Sequence, residues 1–280
     1  ACTPRTHEPL FQETLQNSGL NKYMVEMANI RNMNSWVHPT EPEKATQKAK
    51  DQVRMAVAKV SKNYPLDDIE VNITPKALIV GAGIAGMNTA LNLADQGYET
   101  ILIEKYDTLG GIANQLSRTW KDEEIGDYLA SLESQVLRHD LIRVYRKTTL
   151  SSVSGFVGSF TGELDVNGSP RSIEFGACVL ATGATEYQPE EYLYKTDDRV
   201  FTTLELNAAV KQYPDFLNKI NAGVFIQCVG SRDDNRPYCS RICCTQSIKK
   251  AVELKKMKPG MDVYILYRDI RTYADKELLY

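Results

Sequence analysis

The sequence predicts an α/β fold, on three observations. A short apolar run leads into a glycine-rich turn and a helix near residue 80. A second strand–turn–helix–strand unit begins after residue 222. The residues ahead of both carry helical spacing rather than strand alternation. Together these divide the 280 residues into a mostly helical segment 1–74, an α/β domain 75–190, a charged connector 191–221 and a partial second α/β unit 222–280.

In the first segment, Thr40-Glu41-Pro42-Glu43 reads as a capping box, with Thr40 as N-cap and Glu43 three positions on. Behind it Ala45, Ala49, Val53, Val57 and Val60 recur at helical spacing, and the helix should close near Tyr64-Pro65. Upstream, Tyr23, Met24, Met27 and Ile30 are buriable in an ambiguous register, and Trp36-Val37-His38-Pro39 reads as an extended exit. Lys76 to Val80 is a buried strand, Met87 to Gln96 a helix stopped by Gly97, and Glu99 to Glu104 a second strand. Phe160 to Val166, the turn Asn167-Gly168 and Ser172 to Phe175 form an antiparallel excursion. Ala177 to Gly183 returns as a buried strand, in which Cys178 is a small core residue. A short helix is expected over Leu204 to Gln212. In the last block Val224 to Val229 and Asp262 to Tyr267 are strands, flanking a helix from Arg241 to Met257.

The turn Gly81-Ala82-Gly83-Ile84-Ala85-Gly86 is a GxGxxG that follows a strand and opens a helix, the context a dinucleotide site requires. Gly81 permits the tight turn, Gly83 lets backbone approach a pyrophosphate, and Gly86 lets helix and strand pack closely. The helix start offers unpaired N–H groups to the phosphates. Glu104, 23 residues after Gly81, sits where a carboxylate accepts from ribose hydroxyls, and Lys105 follows it. Leu109-Gly110-Gly111 and Ala181-Thr182-Gly183 resemble the second glycine pair and the later strand-and-turn motif of two-dinucleotide flavoproteins. They favour FAD over NAD in a Rossmann-like domain of the thioredoxin- and glutathione-reductase type. Ile112 to Trp120 lacks the cysteine pair that glutathione-reductase relatives carry beside the flavin.

In such proteins the second unit holds a nicotinamide nucleotide on another GxGxxG. Here the turn runs from Val229 to Cys239 and keeps only Gly230, so the phosphate cradle is gone. Instead Cys228, Cys239, Cys243 and Cys244, four of six cysteines, fall within 17 positions as C-x10-C-x3-C-C. Soft thiolates at that density suit an iron–sulfur cluster, zinc or a redox disulfide, with unliganded thiols as the bland reading. Cys243 and Cys244 diverge by about 100° on a helix, so both serve one site only at a distorted helix start. Arg232, Arg236 and Arg241 can offset thiolate charge. Arg268 and Arg271 read as structural ion pairs rather than as a phosphate site. His7, His38 and His139 read as structural.

The stretches Ala1 to Phe11, Glu26 to Arg31, Gln227 to Arg232, Pro237 to Thr245 and Leu266 to Arg271 resemble the HdrA family of heterodisulfide reductases along the whole chain. The resemblance implies an FAD-containing electron-transfer protein in which Cys228, Cys239, Cys243 and Cys244 ligate an unusual [4Fe-4S] cluster near the flavin. It implies partners among the other subunits of a heterodisulfide-reductase-like complex, with ferredoxin, hydrogenase or dehydrogenase as electron donors, and a homodimer as one arrangement. Some members bifurcate electrons. Cys2 resembles the last ligand of an N-terminal cluster whose other ligands are not in this chain. The chain starts without Met and reads as a middle slice of a longer protein. A NAD(P)H-dependent flavin disulfide reductase using Cys243 or Cys244, and a structural zinc module, are the alternatives.

Composition narrows the field. Against 36 acidic residues the 33 basic ones leave a net charge of -3, so no nucleic-acid partner is expected. No run of 18 apolar residues spans a membrane, and Ala1-Cys2-Thr3-Pro4-Arg5 is no signal peptide, so a cytoplasmic oxidoreductase is expected.

Overall fold

A computed structural model describes residues 4–213 and 215–279. Cys2 lies outside the described residues. The chain forms two compact units, Ala1–Val71 and Asn72–Tyr280.

The first unit contains helix α1 (Pro4–Asn17), a π-helical turn at Arg31–Ser35 and helix α2 (Pro42–Val60). The α2 start differs from expectation. Its N-cap is Glu41, with no side-chain cap, and Pro42 takes the first helical position. Proline's fixed φ suits that position, which leaves Thr40 one residue too early to cap. Trp36 is helical (φ -75°, ψ -29°) rather than extended. Proline restrains the residue directly before it, here His38, and Arg31 stacks on the Trp36 ring at 4.4 Å. The helix stops at Val60, short of Tyr64-Pro65, and no α2 residue is buried.

In the second unit, β1 (Lys76–Val80), β2 (Glu99–Ile103), β3 (Ile142–Tyr145) and β7 (Ala177–Leu180) form a parallel sheet of order β3-β2-β1-β7. Period-two alternation sends Ile79 and Leu102 to one face and Leu78, Ile101 and Ile103 to the other. The first face is covered by α3 (Ile84–Asp95) and α4 (Ile125–Arg138) through Met87, Ala90, Leu132 and Val136. The second packs on Leu164, Ile173 and Phe175 of the antiparallel sheet β4 (Thr148–Phe156), β5 (Ser159–Val166) and β6 (Ser169–Phe175). A strand buried on both faces needs a nearly continuous apolar run, and Ala77-Leu78-Ile79-Val80 supplies it. Each fully buried Leu or Ile contributes about 1.5–3 kcal/mol. Asn167 (φ 51°) and Gly168 (φ 84°) are both left-handed, as a two-residue hairpin turn of this twist requires.

β7 is the edge strand and is not buried as expected: Cys178 is exposed and Leu180 is 74% exposed. Cys178 pairs in register with Leu78, but the antiparallel sheet packs over Leu78, Ile101, Ile103 and Tyr145, on β1, β2 and β3, and the cluster holds no β7 residue.

The remainder places α5 (Thr203–Gln212) before the parallel pair β8 (Ala222–Ile226) and β9 (Asp262–Leu266), with α6 (Cys243–Met257) between them in sequence. Leu217, Leu254 and Met261 form their core, joined by Phe225 and Val263. A capping box does exist in this chain, at Thr202 and Glu205 of α5. α6 starts two residues later than expected because Arg241 is left-handed at φ 64°. Among the described residues no helix is long and apolar enough to cross a membrane.

Candidate functional site

The glycine turn is assembled by tertiary contacts around Ala82. Its N–H donates to Glu104 Oε2 at 2.9 Å, and its carbonyl accepts from Gly110 N–H at 2.8 Å. Glu104 Oε1 accepts from Tyr106 N–H at 3.0 Å, and the residue is buried. Both carboxylate oxygens therefore serve backbone first. Each keeps a second lone pair for a further donor.

The three motif glycines stand there for different reasons. Gly81 has φ 102°, and a Cβ on it would collide with the Ala181 carbonyl. A Cβ on Gly86 would collide with the Gly81 carbonyl and lie 3.4 Å from Ala181 Cβ. These two are demanded by the fold. Gly83 is extended (φ -75°, ψ -176°), a conformation open to any residue, and a Cβ on it would meet nothing within 4 Å. The fold itself sets no requirement for a glycine there. Gly83 is also the N-cap of α3 and supplies no side-chain cap, so the N–H groups at Ile84, Ala85 and Gly86 open onto that same space. A Cβ on Gly111 would come within 3.5 Å of Gly83 Cα, and Gly110 pairs with Gly83 in a parallel bridge. Thr182 Cα would lie 3.2 Å from a Gly81 Cβ, and Gly183 is left-handed at φ 67°. The structure thus brings Gly81, Gly83, Ile84, Ala85, Gly86, Glu104, Gly110, Gly111, Ala181 and Thr182 to one place. Lys105 is set apart from them, its ammonium over the exposed Tyr106 ring at 4.7 Å.

The second centre lies at the carboxyl ends of β8 and β9. Gln227 anchors it: its N–H donates to Leu266 O at 2.9 Å, and its buried amide donates to Ser247 Oγ of α6 at 2.7 Å. The chain then turns through three left-handed residues, Cys228 (φ 63°), Gly230 (φ 68°) and Arg232 (φ 58°). Cys243 and Cys244 are the first two residues of α6, which has no side-chain N-cap, so both thiols sit at the positive end of its dipole. They diverge as expected, Cys244 buried and Cys243 half-buried. Burial pushes the Cys244 thiol above its ordinary range. The Arg271 N–H opposes that shift, and the neighbouring Cys243 and Cys228 add to it. Cys239 Sγ accepts from Arg241 N–H at 3.3 Å, and Cys243 Sγ from Ser240 Oγ at 3.3 Å. Cys244 thus senses both Cys243 and Cys228, while Cys239 is held by its own loop. Among the described residues no three ligating side chains stand at metal-holding spacing.

The donor chemistry fits an iron–sulfur cluster: two soft thiols at a helix start, one in the loop before it and one after β8 with a guanidinium beside it. A second observation agrees. Gln227 Oε1, Thr245 Oγ1 and Thr272 Oγ1 are buried without a hydrogen-bond partner, and each is the sequence neighbour of Cys228, Cys244 or Arg271. Such orphans mark a place where a polar group, an ion or water completes the structure.

A nicotinamide cradle does not fit here. A Cβ on Gly230 would run into the Tyr187 ring, and Arg236 stacks on that ring at 4.4 Å. The one glycine kept from the turn seats an aromatic side chain. Tyr187 and Asp269 are participants that sequence reasoning missed. Asp269, an acid between Arg268 and Arg271, carried a readable signal as a bridging carboxylate, whereas Tyr187 carried none.

Residues 75–212 match the family of pyridine nucleotide-disulphide oxidoreductases. The chain is 32% identical to the second form of the A-type iron-sulfur subunit of CoB–CoM heterodisulfide reductase from Methanopyrus kandleri, over 98% of this chain and 56% of that protein. It is 31% identical to the A-type subunit of the H(2):CoB-CoM heterodisulfide,ferredoxin reductase from Methanothermobacter thermautotrophicus, over 98% of this chain and 55% of the relative. The chain belongs to the HdrA family of heterodisulfide reductases. This member spans just over half the length of those relatives. Among solved structures, L-proline dehydrogenase from P. horikoshii matches with a TM-score of 0.44 and 19% identity, covering 77% of this chain and 40% of that one.

Proposed function

We propose that this HdrA-type chain is an oxidoreductase subunit that passes electrons between FAD and a [4Fe-4S] cluster. The observation that carries the reading is the contrast between its two strand-end turns. Around Gly83 the backbone stands open as if for a pyrophosphate, whereas at Gly230, in the turn that follows Cys228, the equivalent space is filled by Tyr187. One unit is built for a dinucleotide and the other has exchanged it for thiols.

In this reading the N–H groups at the start of α3 receive the FAD pyrophosphate, Glu104 orients the ribose, and Gly110-Gly111 let the chain pass close to the cofactor. Ala181-Thr182-Gly183 closes the other side of the turn. Cys228, Cys239, Cys243 and Cys244 would hold the cluster. The flavin supplies exchange between one- and two-electron chemistry. The protein's part is to bind, to hold charge and to keep the two centres within transfer distance, and no general base is required. Partners are the other subunits of a heterodisulfide-reductase-type complex, with ferredoxin or a hydrogenase or dehydrogenase as donor. Electron bifurcation is the fuller form of the same role.

Anaerobic purification with iron, acid-labile sulfide and flavin assays tests this. About four irons and four sulfides per chain alongside FAD are expected. Stoichiometric zinc without flavin sinks the reading. Rapid bleaching of the flavin by NAD(P)H alone would instead favour a disulfide reductase using Cys243 or Cys244.

A further inference from the structure

Three arginines follow Cys228, and the structure gives them different surroundings. Arg236 stacks on Tyr187. Arg241 is left-handed, and its backbone N–H goes to Cys239. Of the three, Arg232 turns its guanidinium toward a thiol, with Nη1 3.9 Å from Cys228 Sγ.

Arg232 does not reach that position by itself. Its backbone is left-handed at φ 58°, a conformation that persists in a non-glycine residue only when its surroundings over-determine it. Those surroundings come from the segment after β9. Asp269 Oδ1 accepts from Arg232 Nη1, Asp269 Oδ2 accepts from Arg271 Nε at 2.5 Å, and Arg268 Nη1 donates to the Arg232 carbonyl at 2.7 Å. Arg271 and Arg232 together hold the Asp269 carboxyl below its ordinary range, so it stays ionised. Two guanidinium groups thus share one carboxylate and a third holds the Arg232 carbonyl, so the group keeps a net positive charge beside Cys228.

We propose that Arg232 is the positioning cation of the thiolate centre, fixed beside Cys228 by Asp269, and that it favours the reduced form of the cluster there. The proposal rests on the cluster reading above. The physical reason is that reduction adds one electron to a centre already made negative by its thiolates. A fixed cation within about 4 Å then stabilises the reduced form more than the oxidised one. Lysine keeps the charge but replaces the planar guanidinium, whose Nη1 lies between the thiol and the carboxylate, with a compact ammonium on a different stem.

The test uses the whole chain, loaded anaerobically, with iron and sulfide per chain and a cluster redox titration read by electron paramagnetic resonance. R232Q is expected to keep its iron and to shift the reduction equilibrium about tenfold toward the oxidised form, about 59 mV for one electron. R232K is expected to shift less. D269N decides between positioning and bulk charge. Removing a negative charge should by itself favour reduction, whereas losing the anchor of Arg232 should oppose it, and the proposal requires the second sign. A wild-type cluster whose equilibrium is unmoved in R232Q, or moved toward reduction in D269N, overturns the proposal alone. A wild-type chain that takes up no iron and sulfide overturns the cluster reading, and the proposal with it. If R232Q fails to assemble, the sign in D269N, with R232K as the charge-retaining control, carries the decision.

Discussion

The ring of Tyr187 lies directly against Gly230, where a Cβ would overlap its carbon atoms. Tyr187 belongs to the segment leaving the parallel sheet after β7, and Gly230 to the turn after β8. The contact therefore locks the exit of the first α/β unit onto the cysteine loop of the second. Gly230 to Ala should be costly twice over, through its φ of 68° and through displacement of the ring. Truncating Tyr187 to Ala removes the second cost only. The cost of G230A should be smaller by about 1 kcal/mol in the Y187A background, a coupling that urea unfolding of the double-mutant cycle measures. Additive costs would show that the ring is not held there in solution.

The motif glycines should separate stability from binding. Gly81 to Ala forces a β-carbon onto the Ala181 carbonyl at φ 102°, and strain of this kind costs about 1–3 kcal/mol before the collision is counted. Gly83 to Ala meets nothing and needs no unusual φ, so its stability should stay within about 0.5 kcal/mol of the parent. Its flavin affinity should nevertheless fall by tenfold or more, about 1.4 kcal/mol, because the methyl group occupies the approach to the α3 start. Thermal midpoints and flavin titration on the two variants check both halves.

Two threonines test the caps. Thr202 Oγ1 accepts from Glu205 N–H at 3.2 Å, and Glu205 Oε2 returns a bond from Thr202 N–H at 2.8 Å. T202A should lose about 1 kcal/mol. T40A should be neutral, since Glu41 is the N-cap of α2. Chemical denaturation of both variants is the measurement.

Lys249 gives a pH signature. It is half-buried on α6, its ammonium donates to the Arg118 carbonyl, and burial pushes its pKa below the ordinary 10.5. The folded chain releases this proton at lower pH than the unfolded chain does. Between the two values the unfolded state binds more protons, so this group makes stability rise with pH, and the cost of its buried charge is full below that window. Replacing Lys249 with Met should remove that rise, seen as urea midpoints of parent and variant set apart at neutral pH and drawing together toward about pH 10.

Much of the fold was legible because its signals are local. Lys76 to Val80 reads as a strand buried on both faces, and Asn167-Gly168 as a hairpin turn, since both depend on neighbours within a few residues. The capping box at Thr40 misled because Pro42 competes for the same helix start. Cys178 misled because apolar alternation reports that a strand has an inner face. It does not report whether a second sheet reaches far enough to cover the other one.

By itself the sequence determined the two strand–turn–helix–strand units, the glycine turn after Val80, the loss of glycines from the second turn and the clustering of four cysteines in their place. These are matters of residue type and spacing along one chain. Only the tertiary structure decided that Gly83, unlike Gly81 and Gly86, is a glycine the fold does not need. The same holds for Gly230 seating Tyr187, and for Arg232, alone of three arginines, facing Cys228 because Asp269 holds it there. Each of these depends on groups that are 37 to 100 positions apart in sequence and meet only when strands align their ends. Spacing names the groups that can react, and the packing of the sheets sets which of them touch.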